Sequence, residues 1–186
     1  MGTVLQRRLF TADEYYRLAA VGILRENDRV ELLDGDIVEM TPIGSHHAAC
    51  VDRLNALLQR RVEGRGILRV QNPIRLNSRS EPQPDLSVLK LRTDFYASSH
   101  PQPGDVLLVI EVADSSASFD RDVKIPLYAR SGVPEVWLVD LQEGHIEIFA
   151  QPVAEGYQRS HRAARGDRVS CAALPGFHIL VDDILS

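Results

Sequence analysis

Lysine is nearly missing from this sequence. Of 21 basic residues only two, Lys90 and Lys124, are lysines. Cysteine is equally scarce. Cys50 and Cys171 stand far apart, with no CxxC pair and no histidine at zinc spacing, which excludes a disulfide framework and leaves two buried free thiols as the expectation. No stretch approaches the roughly 20 apolar residues that a membrane helix needs. The N-terminal segment meets acidic residues before any apolar run forms, so it does not read as a signal peptide, and a cytoplasmic location is expected. A glycine-rich phosphate loop, a GxSxG elbow and an HExxH helix are all missing, as are repeats, linkers and low-complexity segments.

What is there fits one domain spanning residues 1–186. The chain has a hydrophobic fraction of 44% and a charged fraction of 25%, enough to bury a sizeable core. A net charge of −5 does not advertise a nucleic-acid binder. Its distribution is uneven, however. From Arg53 to Arg79 there are seven arginines (Arg53, Arg60, Arg61, Arg65, Arg69, Arg75 and Arg79) and a single acid, Glu63. This stretch is either a solvated helix face with a turn or a patch that meets phosphates, with Arg53, Arg65 and Arg69 as backbone-contact candidates.

Local patterns predict the element order. Thr11 and Glu14 form a capping box for a helix over 11–18. Asp34-Gly35 between two β-prone runs signals a hairpin over 29–40, in which Glu31 shares a face with Leu33. Ser45 is expected to cap a helix to about Val62, with Val51, Leu54, Leu57, Leu58 and Val62 as its apolar stripe. Short strands are expected at 67–70, 74–76 and 86–91, then a loop over 95–105. The run 106–112 reads as a strand covered on both faces, and 120–130 as a helix closed by Gly132. A buried strand at 136–139 precedes a polar-alternating pair, 145–149 with 157–162, at the sheet edge. The whole is a mixed α/β domain, a mixed central sheet flanked by helices.

Three polar residues stand out against this framework. Asp85 opens a strand directly after Pro84, which stiffens its approach. Glu111 interrupts an otherwise apolar strand, where an ionised carboxylate costs several kcal/mol unless it is paired or bound to a cation. Lys124 follows one helix later. On neighbouring strands, about 4.8 Å apart, Asp85 and Glu111 could share one Mg²⁺ or Mn²⁺, ions that favour hard oxygen ligands. A lysine beside that metal would orient or deprotonate water, or stabilise the charge developing on phosphorus. The same residues also fit a buried Glu111–Lys124 salt bridge with Asp85 as a turn acid.

The segments 111–116 and 120–140, running EVADSS and DRDVKIPLYARSGVPEVWLVD, resemble the Uma2 family of bacterial, restriction-endonuclease-like proteins. So do Glu31-Leu32-Leu33-Asp34-Gly35-Asp36, the Met40-Thr41-Pro42 to His47 turn, Gln83-Pro84-Asp85-Leu86 and Leu174-Pro175-Gly176-Phe177. The resemblance runs from about residue 8 to the end and implies a PD-(D/E)xK nuclease core with metal-binding acids at the centre of its sheet. Asp85 then matches the acid of the PD element and Glu111 the second acid. Ala113 stands where the usual lysine would be, and Lys124 matches the lysine this family places on the following helix instead. Glu31 matches an early acid that completes the metal shell.

Supporting roles are open for His47 (a phosphate contact, or packing at a helix start), for Asp120 (orienting Lys124 four residues on, or capping the helix) and for Gln83, beside the PD element. Tyr128 falls on the same face as Lys124 or in the core. The implied activity is Mg²⁺-dependent hydrolysis of DNA phosphodiesters. The competing expectation is a catalytically idle module that binds nucleic acid or protein. DNA is the expected partner, a membrane is not, and a homodimer would suit the cutting of two strands.

Overall fold

The computed structural model describes residues 6–25 and 27–186. Helix α1, Ala12–Ala20, starts from the Thr11–Glu14 capping box, with both reciprocal hydrogen bonds made. Strands β1, Val30–Leu33, and β2, Asp36–Glu39, form the Asp-Gly hairpin. Asp34 and Gly35 both take positive φ, as its two-residue turn requires. A Cβ on Gly35 would come within 2.7 Å of Leu9 Cβ, so the chain's entry into α1 packs on this turn. Helix α2 is Ser45–Val62. Ser45 is its first residue rather than its cap. Gly44 holds the cap position and no side chain bonds there.

Strands β3 (Ile67–Val70), β4 (Leu86–Leu89), β5 (Val106–Ala113), β6 (Glu135–Asp140), β7 (His145–Val153) and β8 (Gly156–Ala163) form one sheet in the order β3-β4-β5-β6-β7-β8. Only β5 and β6 pair in parallel. Their crossover is the helical stretch made of α3 (Ala117–Phe119), a wide π-turn over Asp120–Lys124 and α4 (Ile125–Arg130). The expected pair at the sheet edge is β7 with β8. Of these two, β7 lies inside the sheet and β8 forms the edge.

Residues 74–76 do not form a strand. Ile74 N–H donates to Pro82 O and Leu76 N–H to Ser80 O, so this segment folds back on 80–82. Pro73, Pro82 and Pro84 remove three of the donors a ladder would need. The ribbon of β9 (Arg168–Ser170) with β10 (His178–Leu180) and the one-turn helix α5 (Val181–Ile184) complete the chain; no sequence pattern flagged these three.

Alternation along the strands sorts the core into two layers. Leu108, Ile110, Val112, Trp137 and Val139 pack against α2 and the C-terminal segment. Val109 and Val136 pack on the other side, with Leu33, Leu127 and Tyr128. Glu111 is on this second side, under the crossover helix and the hairpin. Cys50 and Cys171 are buried and free. No described helix is long and apolar enough to cross a membrane.

Candidate active site

The crossover helix delivers Lys124. Pro126 has no N–H to give the carbonyl four residues back, and its ring would clash there in a regular helix. The π-turn sits directly before it and widens the helix where that bond is missing. Lys124 Nζ lies 3.1 Å from Glu31 Oε1 and 3.3 Å from Glu111 Oε1. Tyr128, one turn on, donates its hydroxyl to Glu111 Oε1 at 2.7 Å. Tyr128 thus belongs both to the core and to the site. Gln83 contributes its backbone N–H, which donates to Glu31 Oε2 at 3.1 Å.

Asp85 immediately precedes β4. Its Oδ2 accepts the Val112 N–H at 2.9 Å and lies 3.0 Å from His47 Nε2, while Gln71 donates to Oδ1 at 3.4 Å. His47 Nδ1 is buried without a partner. Asp120 accepts the Ser116 hydroxyl at 2.6 Å. It makes no ion pair with Lys124 within 4.0 Å, because the π-turn breaks the i,i+4 relation expected of an α-helix.

Glu31, His47, Gln83, Asp85, Glu111, Asp120 and Lys124 all line one cleft of about 490 Å³. At its floor Glu111 is 3% and Lys124 7% exposed. Burial pushes the Glu111 carboxyl up to about 8, and the Lys124 ammonium pulls it back only in part. Burial alone would lower the Lys124 ammonium. Glu111, Glu31 and Asp120 outweigh that and hold it raised, so Lys124 stays charged. Burial also raises Asp120, against the pull of Lys124. The hydrogen bond to Asp85 raises His47, against its burial. The floor therefore holds more carboxyl groups than cations in a dry setting, an arrangement that favours a further positive charge.

Glu111 Oε2 takes no hydrogen bond from the described residues, and Asp85 Oδ1 takes only the long one from Gln71. These are hard oxygen donors facing one cleft, a donor set suited to Mg²⁺ or Mn²⁺. The acids do not stand as a closed ligand cage, because Lys124 lies between Glu31 and Glu111. Among the described residues, the group whose ligand atoms all lie within 4.8 Å of one another is elsewhere: Asp140, His145 and Glu147. The Arg121 guanidinium already occupies that group, 2.5 Å from Glu147 and 3.6 Å from Asp140.

Arg53, Arg65 and Arg69 lie outside the cleft lining. Arg53 donates to Ile184 O at 3.1 Å and Arg65 to Pro175 O at 2.7 Å, and one Arg69 nitrogen is buried without a partner. Sequence reading missed Arg29, Ile43, Ser116 and Phe119 as cleft residues. Only Ser116 left a trace, its i,i+4 spacing to Asp120.

A family model described as "Uma2: Putative restriction endonuclease" matches residues 12–182. No curated protein matches the sequence. Among solved structures, one from Anabaena variabilis, described as a putative nuclease belonging to DUF820, superposes with a TM-score of 0.67. It is 16% identical, and the match covers 95% of this chain and 97% of that one. At that identity the likeness establishes a shared fold, the mixed sheet with its flanking helices.

Proposed function

Because the chain belongs to the Uma2 family, we propose that it is a metal-dependent endonuclease that hydrolyses DNA phosphodiester bonds. The observation that carries this reading is the floor of the cleft, where Glu111 and Glu31 share the single ammonium of Lys124 out of water. Asp85 and Glu111, helped by Glu31, would hold Mg²⁺ or Mn²⁺, which supplies Lewis-acid polarisation of a phosphoryl oxygen and a more acidic water. The chain's own groups do the rest. Lys124, kept protonated by its carboxylate neighbours, stabilises the negative charge that builds on phosphorus. Tyr128 fixes the rotamer of Glu111, and the Val112 N–H with His47 fixes that of Asp85. Arg53, Arg65 and Arg69 supply backbone contacts to the parts of the DNA outside the cleft.

One observation favours the idle module instead. Lys124 fills the space between Glu31 and Glu111 and satisfies both without a metal. Calorimetric titration of Mn²⁺ into the metal-free protein separates the two readings. The nuclease reading expects a saturable heat that Asp85→Asn and Glu111→Gln each remove, together with Mn²⁺-dependent cutting of DNA. Heat no greater than dilution at millimolar Mn²⁺ would establish the idle module.

A further inference from the structure

The depth of the cleft bears on which form of DNA can reach its floor. Glu111, Glu31 and Lys124 are all buried there. The same cleft has apolar lining as well, from Val38, Met40, Pro42 and Ile43 of one chain segment and from Phe119 of another. Ile43 is 42% and Phe119 38% exposed, two of eight large hydrophobic side chains left in water among the described residues. A space of about 490 Å³ lies within the range of roughly 300–1,000 Å³ that encloses a small ligand. It has the scale of a nucleotide, not of a double helix.

Duplex DNA is a stiff rod with a persistence length of about 50 nm. Its phosphates lie on a convex outer surface and its bases face inward. It can lower a phosphate onto buried carboxylates and at the same time lay a base on an aromatic ring only by unpairing that base and flipping it out of the stack. An unpaired strand can do both, because its backbone turns at each nucleotide and every base has a face to stack.

We infer that the cleft takes an unpaired DNA strand, one base held against Phe119 and Ile43 at the mouth while the adjoining phosphate reaches the floor. This rests on the nuclease reading and adds the form of the substrate to it. Arg29, exposed on the same rim, meets the backbone where the strand leaves. Cutting an unpaired strand takes one active site, so a twofold partner is not required.

The test is fluorescence anisotropy with a labelled single-stranded oligodeoxynucleotide and with a blunt duplex of the same sequence. Ca²⁺ is present as a hard cation with the same ligand preference, and cutting of both forms in Mn²⁺ is measured alongside. The single strand should bind at least about ten-fold more tightly than the duplex and be cut faster. Phe119→Ala should weaken single-strand binding by about ten-fold, the scale of one lost stacking contact, with Phe119→Trp retaining it. Phe119 is exposed, so both variants should fold. Equal binding and cutting of the two forms, or Phe119→Ala matching the original protein, would overturn the unpaired-strand inference and leave the nuclease reading standing. Neither form bound nor cut would overturn both.

Discussion

Two buried charge clusters lie on the same face of the sheet, and their charge balances differ. Glu111 on β5 is aligned with Leu138 on β6, then Glu147 on β7, then Arg162 on β8. Two strand spacings, about 10 Å, separate the two glutamates. Around Glu147 stand Arg121 at 2.5 Å, His145 at 3.3 Å and Arg162 at 3.8 Å. Burial would raise the Glu147 carboxyl, but hydrogen bonds from Arg121 and His145 outweigh it and hold it below the usual range. Around Glu111 there is only Lys124, which Glu31 shares, and the carboxyl is pushed up to about 8. The same residue type at the same height in the sheet is matched by arginines in one place and left short of positive charge in the other. Both clusters border a cleft, but Asp140 and Glu147 are matched by Arg121 and Arg162, whereas Glu31 and Glu111 share one lysine.

The largest effect that can break this comparison is on catalysis. Glu111→Gln should lower Mn²⁺-dependent DNA cutting by about 10²–10³-fold, the scale of losing one preorganised electrostatic contact. Without metal it should leave the fold as stable or more so, since burial already favours the uncharged form of this carboxyl and Glu31 still pairs Lys124. Glu147→Gln should do the reverse, with cutting close to unchanged and stability lowered by ~1–2 kcal/mol in a urea melt. That modest cost follows because Arg121 and Arg162 are 35% and 67% exposed and can turn to water. If instead Glu111→Gln cost several kcal/mol in metal-free buffer, Glu111 and Lys124 would be a structural pair.

The next effect concerns pH. The Glu111 carboxyl titrates higher in the folded chain than in the unfolded one, so its protonated form favours folding. That contribution is complete below the ordinary value of 4.5 and is lost as pH rises to about 8. The stability of the metal-free protein relative to Glu111→Gln should therefore fall across this window, by an amount on the order of a few kcal/mol. Paired urea melts at pH 5 and pH 8 measure it, and a constant difference would show that Glu111 ionises freely. Glu147, held low, should give no fall in the same window.

The Glu111 half of this contrast was legible in the sequence, for reasons that are local, and the Glu147 half was not. The Asp34-Gly35 turn and the Thr11–Glu14 box act within four residues, and both form as expected. Glu111 announced itself because a lone acid in an apolar strand has few explanations. The direction of Lys124 was not legible, since it depends on a π-turn that neither composition nor periodicity marks. The arginine stretch was opaque for another reason. Arg53 and Arg65 meet carbonyls at positions 184 and 175, contacts that no short-range pattern can signal. Ile184 ends a four-residue helix and Pro175 lies in the loop between two three-residue strands, elements too short to show a period.

The smallest effect tests that arginine stretch. If Arg65 and Arg69 contact phosphates, replacing both should flatten the salt dependence of DNA affinity by up to about one unit each. The preferred substrate should not change. An unaltered slope would confine both residues to the bracing role that the Arg65–Pro175 contact already provides.

The π-turn makes the site sensitive to insertion and deletion in a way the rest of the fold is not. Each residue of a helix turns the side chains after it by about 100° relative to those before. A single-codon deletion of Arg121 or Asp122 would leave the sheet and both cores their full set of apolar residues. Yet it would turn Lys124, together with Leu127 and Tyr128 on α4, a quarter-turn or more relative to the chain before them, and the same Mn²⁺ titration would register the change. In genetic terms, one codon in this segment sets both the candidate centre and the seating of α4 on the sheet.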